Sequence, residues 1–145
     1  MFKKILVPID VDRPVAAKTV FEYASILAEQ NNAKLKLVAV MPGFGMPIVG
    51  SYITDDVRKE ALDHFKEALE TFLKENCSES VEYTIRAGKN WRQIVRVAEK
   101  WEADLIIVYH NKHREINEAF SRSCSDNVFR NANCSVLKLR NIREK

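Results

Sequence analysis

The chain has 145 residues, 46% apolar and 30% charged, enough to enclose one core and too apolar for a disordered polymer, so one self-folding domain is expected. Its 23 basic and 20 acidic residues leave a net charge of +3, and their interspersion argues against a nucleic-acid-binding chain. The apolar run Ile5 to Val7 stops at Pro8, Asp10 and Asp12, too short for a signal peptide or membrane span. Three cysteines without repeated close spacing, Cys77, Cys124 and Cys134, point away from a disulfide framework and toward a reducing cytoplasm.

Lys4 to Ile9 is a continuous β-rich run, as in a central parallel strand buried on both faces. A helix starts at Asp12 or Arg13 with Pro14 in its first turn, carries the stripe Val20, Tyr23, Ala24, Leu27 and Ala28, and ends near Asn31 and Asn32. Leu35 to Val40 is the second strand, and the Gly- and Pro-rich stretch Met41 to Ser51 is a loop, a candidate lid or partner surface. Thr54, Asp55 and Asp56 open a long helix with the stripe Val57, Ala61, Phe65, Ala68, Leu69, Phe72 and Leu73. Ser80 to Ala87 alternates as a strand and is broken by Gly88. Asn90 is placed to cap a helix carrying Ile94, Val95, Val97, Ala98 and Trp101. Ala103 to Val108 is a further apolar strand, followed by a polar segment from Tyr109 to Ser121, a short helix over Asp126 to Ala132 and a last strand from Cys134 to Leu139.

Repeated βα units join parallel strands by right-handed crossovers, so the pattern predicts an α/β, doubly wound five-strand parallel sheet with helices on both faces, in one domain over 1–145. Ligands of such sheets sit beyond the carboxyl ends of the strands where the order reverses. That rule singles out Asp10, Val40 and the segment after Val108.

The run Lys3 to Asp10 resembles the opening of universal stress proteins, as does Gly88 to Val97 followed by Ala103 to Val108. The ending Val128 to Leu137 resembles the closing helix and strand of that family. The resemblance, taken with the strand spacing, implies the strand order 3-2-1-4-5 for the sheet, and it implies a stress-response regulatory or interaction protein. In nucleotide-binding members the loop after the fourth strand reads Gly, two residues, Gly, nine residues, Gly, then Ser or Thr. Counted back from Val128, those positions fall here on Tyr109, Lys112, Arg122 and Ser123, so only the serine matches. Glycines in phosphate loops permit positive φ and close approach of backbone N–H groups, and their loss predicts that ATP is not tightly held. The resemblance further places Asp10, with Pro8 before it, against a ribose or base, and the Val40 backbone against a base. Lys112, Arg114 and Arg122 are side-chain phosphate ligands in one reading and a solvated basic loop in the other. No cofactor is expected; weak ATP, AMP or phosphate binding is the alternative, with Arg122 either gripping the anion or plugging its pocket.

Asp10 has a second reading as a turn or helix-start acceptor. His110 and His113, with Cys124 and Cys134, are metal-ligand types, but their spacing does not make a zinc site and no metal is expected. His64 reads as a surface residue. Trp91, Trp101, Phe120 and Phe129 read as packing, with nothing basic interleaved to make a base-stacking platform. Nucleophile-elbow, Walker and HExxH patterns are missing from the sequence, so no catalytic residue is assigned. The last strand, through Val136, Leu137 and Leu139, is expected to pair with its two-fold mate in a homodimer. An unidentified protein is the other expected partner, with neither nucleic acid nor membrane.

Overall fold

The computed structural model describes residues 1–41, 55–77, 80–110 and 122–140, with side chains of the last segment described from Cys124 onward. Strands β1 (Lys4–Pro8), β2 (Lys34–Met41), β3 (Glu82–Ala87), β4 (Leu105–His110) and β5 (Ser135–Arg140) alternate with helices α1 (Pro14–Asn31), α2 (Asp55–Asn76), α3 (Asn90–Trp101) and α4 (Arg122–Asn131). The sheet has the order β3-β2-β1-β4-β5, and all four ladders are parallel. This is the topology that the sequence pattern and the resemblance predict.

Alternation along the strands divides the core in two. Ile5, Val7, Ile9, Leu37, Ala39, Leu105 and Ile107 face α1 and α2, where Phe21 meets Phe72 edge-on with ring centroids 6.0 Å apart. Leu6, Val38, Val40, Ile106 and Val108 face α3 and α4 through Ile94, Val97, Ala98, Cys124 and Val128. Burying one such aliphatic side chain contributes about 1.5–3 kcal/mol, so both faces hold the sheet. At the amino ends of the strands, the Asp104 carboxylate accepts the N–H groups of Lys3 (2.7 Å) and Lys4 (3.0 Å), tying β1 to β4.

Several boundaries differ from the expected ones. Arg13 takes the cap position of α1 without a side-chain bond, and Pro14 is its first residue. Tyr23 is 55% exposed, because Phe21 points toward α2 and centres the buried arc on Val20, Ala24 and Ala28. Val57 is also exposed; α2, at 22 residues, spans about 33 Å and outruns the strands, so only its second half reaches the core, at Phe65, Leu69, Phe72 and Leu73. Thr54 and the loop residues after Met41 lie outside the described residues. Asn90 is not the cap of α3 but its first residue, with Lys89 at the cap. β4 runs on through Tyr109 and His110 because both find partners, Leu139 and Arg140, on β5. α4 starts four residues before Asp126, where Cys124 and Val128, one turn apart, supply its buried stripe.

Candidate functional site

β1 pairs with β2 as far as Pro8 opposite Val38, and Ile9 N–H adds a bond to the Val38 carbonyl (2.8 Å). Beyond that point β1 turns away while β2 continues through Val40 and Met41 alongside β3. The gap opened there is the place the doubly wound topology reserves for a ligand.

Asp10 forms the turn that leaves β1. Its Oδ1 accepts Asp12 N–H (3.0 Å) and its carbonyl accepts Arg13 N–H (3.1 Å). The structural reading of this carboxylate is therefore realised: it shapes the entry to α1. Burial pushes its pKa above the ordinary value of 3.8, with the Asp12 N–H bond and the Arg13 charge acting against the rise and the Asp12 charge adding to it.

Pro8, Asp10 and Tyr109 are brought together, with Arg13, Ala16, Ala17, Val20 and Val108, around a cavity of about 20 Å³, room for roughly one water molecule. Val40 is not part of that lining. Its side chain is buried on the opposite face, under α3 and α4, so the structure separates it from Asp10 at the side-chain level. Lys112, Arg114, His113 and Phe120 lie outside the described residues. Arg122 and Ser123 form the first turn of α4, and their side chains are likewise outside the described set.

Cys124 is buried in that same turn, and burial, helped by the negative charge of Asp10, pushes its thiol up to about 12. A neutral thiol in such surroundings packs as a small hydrophobe and is not a nucleophile at ordinary pH. Cys77 and Cys134 are free and half-buried. No group of three metal-ligating side chains is assembled among the described residues.

A polar cluster that the sequence reading did not assemble lies beside Cys124. His110 Nδ1 and Ser125 Oγ share a 2.8 Å hydrogen bond, both side chains being buried. Asp126 Oδ1 stands 3.8 Å from the same ring nitrogen and accepts from Lys138 Nζ at 2.6 Å. A Ser-His-Asp relay needs the serine and the aspartate on different imidazole nitrogens; here both approach Nδ1, and Ser125 is not open to a substrate. The cluster joins β4, α4 and β5. A polar His ending an apolar strand, with Ser-Asp at one helical turn's start, was the only sequence signal for it.

The aromatic residues depart from expectation in two respects. Trp91 and Trp101 do pack against the α3–α4 core, but cations lie on both: Lys89 and Arg92 at 5.7 and 5.3 Å from the Trp91 ring, Lys4 and Lys36 each at 5.6 Å from Trp101. Strand pairing brings Lys4 and Lys36 in from β1 and β2, far away in sequence. Phe129 is exposed, beneath Lys138 Nζ at 4.8 Å, and is not core. His64 is exposed as expected and borders an open groove of about 980 Å³ between α1 and α2. That groove is larger than the cavity over Asp10 and runs between the two helices from the β1–α1 turn at Val11 and Pro14 to Glu75 and Asn76.

β5 stands at the sheet edge and pairs only with β4 among the described residues. Val136 and Leu139 pack against opposite cores, whereas Leu137 is 40% exposed. No described helix is long and apolar enough to cross a membrane.

The universal stress protein family model matches residues 1–140. Universal stress protein Sll1388 of Synechocystis is 27% identical, the match covering 94% of this chain and 96% of that protein. Among solved structures, the protein MJ0577 superposes with a TM-score of 0.75 at 21% identity, over 99% of both chains. A universal stress protein solved in complex with cAMP superposes with a TM-score of 0.65 at 20% identity, over 95% of this chain and 97% of its own. The structural likenesses establish the fold, and the family match over nearly the whole sequence establishes more: the chain belongs to the universal stress protein family.

Proposed function

We propose that this chain is a stress-response regulatory protein that works in the cytoplasm by binding a protein partner, without ATP held in a glycine loop and without catalytic turnover. The observation that carries this reading is the state of the strand ends. Asp10 already accepts the Asp12 N–H, and the space that it shares with Pro8 and Tyr109 is about 20 Å³, whereas a small-molecule pocket occupies about 300–1,000 Å³. Tyr109, at the first expected glycine position, is a strand residue packed against the core. Calorimetry with ATP and AMP on protein stripped of copurified ligand tests the reading. No heat at micromolar nucleotide is the expected result, and tight ATP binding would overturn it.

A second reading is a mononucleotide sensor with an altered loop, in which Lys112 and Arg122 replace the lost N–H contacts to phosphate. It is favoured by the presence of Asp10 and by the cAMP complex of a structural neighbour. Under that reading AMP or cAMP binds weakly and in a salt-sensitive way, and Arg122→Ala lowers the affinity. If Arg122 plugs the pocket instead, the same substitution raises it.

The assembly proposed is a homodimer through β5. Its support is the position of β5 at the edge and the exposed Leu137, since an open edge strand is otherwise a site of uncontrolled pairing. Sedimentation at micromolar concentration should show a dimer that Leu137→Arg dissociates.

A further inference from the structure

From Tyr83 to Ala98 the sequence contains Arg86, Lys89, Arg92 and Arg96 and no acidic residue. The fold turns this bias into a line. Lys89, Arg92, Arg96 and Lys100 lie within about 80° of one another around the axis of α3 and extend about 16 Å along it. All four are exposed. The opposite side of the helix, Ile94, Val95, Val97 and Ala98, is buried, so α3 cannot rotate its cations away from solvent. Arg86 on β3 alternates onto the same side of the sheet as α3, because Tyr83 and Ile85 pack on the other side.

Two features distinguish this line from an ordinary solvated helix face. Such faces usually mix signs, with glutamates one turn from the lysines. Here none of the five cations meets a carboxylate at ion-pair distance among the described residues; the one acid on this face, Glu99, is turned to the Asn133 amide at 2.9 Å. Two of the cations also stand at the unfavourable end of the helix. The first turn of α3 has no acidic residue and no side-chain cap, so Lys89 and Arg92 add positive charge to the positive pole of the helix. Local rules broken in this way mark a surface that an outside group completes.

We propose that the exposed face of α3 is a docking surface for an acidic helix of a protein partner, with Lys89, Arg92, Arg96 and Lys100 as its contacts. Successive cations are separated along the axis by about 4.5, 6 and 6 Å, the intervals at which a helix bearing carboxylates at i, i+3, i+7 and i+11 presents its own charges. Single-stranded nucleic acid is the weaker fit, since it binds by stacking bases on open aromatic faces and Trp91 is already flanked by Lys89 and Arg92. An anionic membrane is weaker too, because no apolar side chain stands in the line to enter a bilayer. The inference rests on the reading that this chain acts through a protein partner and gives that partner a chemical class.

The test uses the full chain and three probes at low salt: an Ala-rich helical peptide with glutamates at i, i+3, i+7 and i+11, a scrambled peptide of the same composition, and oligothymidylate. The helical peptide should bind more tightly than the scrambled one, and more weakly as salt rises. The double variant Arg92→Glu/Arg96→Glu should lower its affinity by about tenfold or more, and Arg96→Gln by less. Lys18→Glu/Lys66→Glu, which changes the net charge equally on α1 and α2, should leave affinity within about twofold. Equal losses in the two double variants would show attraction by net charge alone and overturn the proposal. So would equal binding of both peptides, or tighter binding of oligothymidylate that is lost in the α3 variant. Nucleotide calorimetry separates the two claims: tight ATP binding sinks the reading of the strand ends and leaves the α3 result untouched.

Discussion

The two faces of the sheet divide the labour of this molecule. On one, α1 and α2 cover β1, β2 and β4 with large side chains, Phe21, Leu69 and Phe72 among them, and leave no buried charged or polar group among the described residues. On the other, α3 and α4 bury a smaller apolar set together with both buried polar residues of the described chain, His110 and Ser125. Polar groups in a core are costly unless every partner is supplied. Their confinement to one face, next to the strand ends, shows which side of the sheet trades apolar packing for a buried hydrogen bond.

Truncation of the core is the largest perturbation. Leu69→Ala and Ile94→Ala remove fully buried side chains from the two faces, and each should cost about 2–5 kcal/mol in urea unfolding. One shared transition in both variants fits a sheet that couples its two faces; a split transition in Ile94→Ala would mean that the polar face unfolds as a separate unit. Gly88→Ala comes next. Gly88 carries φ +131° where β3 turns into α3, and an added Cβ would stand 3.0 Å from Gln93 Nε2. That amide can swing aside, but the backbone strain stays, so about 1–3 kcal/mol should be lost, with α3 displaced and the α1–α2 face unaffected.

Ser125→Ala removes the hydroxyl hydrogen-bonded to His110 and should cost about 0.5–1.5 kcal/mol. A structural cluster predicts that thermal stability is the only quantity to change; loss of any esterase or phosphatase turnover in the variant would break the assignment. The smallest effect concerns Asp10. Because its pKa is raised in the folded chain, chiefly by burial, the folded state takes up a proton more readily than the unfolded one. Stability from this group is therefore greatest below pH 3.8 and is lost as pH rises through the folded pKa. Asp10→Asn keeps the acceptor for Asp12 N–H without the buried charge. The variant should be the more stable at neutral pH, its advantage over the parent disappearing as pH falls below that value. Thermal unfolding across the acid range measures it, and a destabilised variant at pH 7 would show that the carboxylate charge has a partner of its own.

Legibility followed the length scale of the interaction. Strand positions could be read because parallel strands buried on both faces are continuous apolar runs, as Lys4 to Ile9 and Ala103 to Val108 are. Strand ends could not. Tyr109 and His110 look like loop residues until Leu139 and Arg140 come alongside, and the serines at 121, 123 and 125 offer several possible starts for α4. At the site, Pro8, Asp10 and Tyr109 were named from topology and resemblance and do share a cavity. Val40 was named for its backbone, and its side chain lies on the other face, a matter that alternation settles only after the register is known.

The sequence by itself determined the element order, the parallel sheet and its strand order, and the family, because these rest on local periodicity, short connections and a motif order spanning the chain. It also determined that the glycines of a phosphate loop are missing. Only the tertiary structure decided what surrounds Asp10, that Ser125 and Asp126 approach the same nitrogen of His110, and that Lys4 and Lys36 converge on Trp101. Each of those depends on residues brought together from separate elements, where distances of a few ångströms set the interaction and no local pattern records them. The line of cations on α3 belongs to both: its spacing is in the sequence, and its exposure was fixed when the apolar side of the helix closed on the sheet.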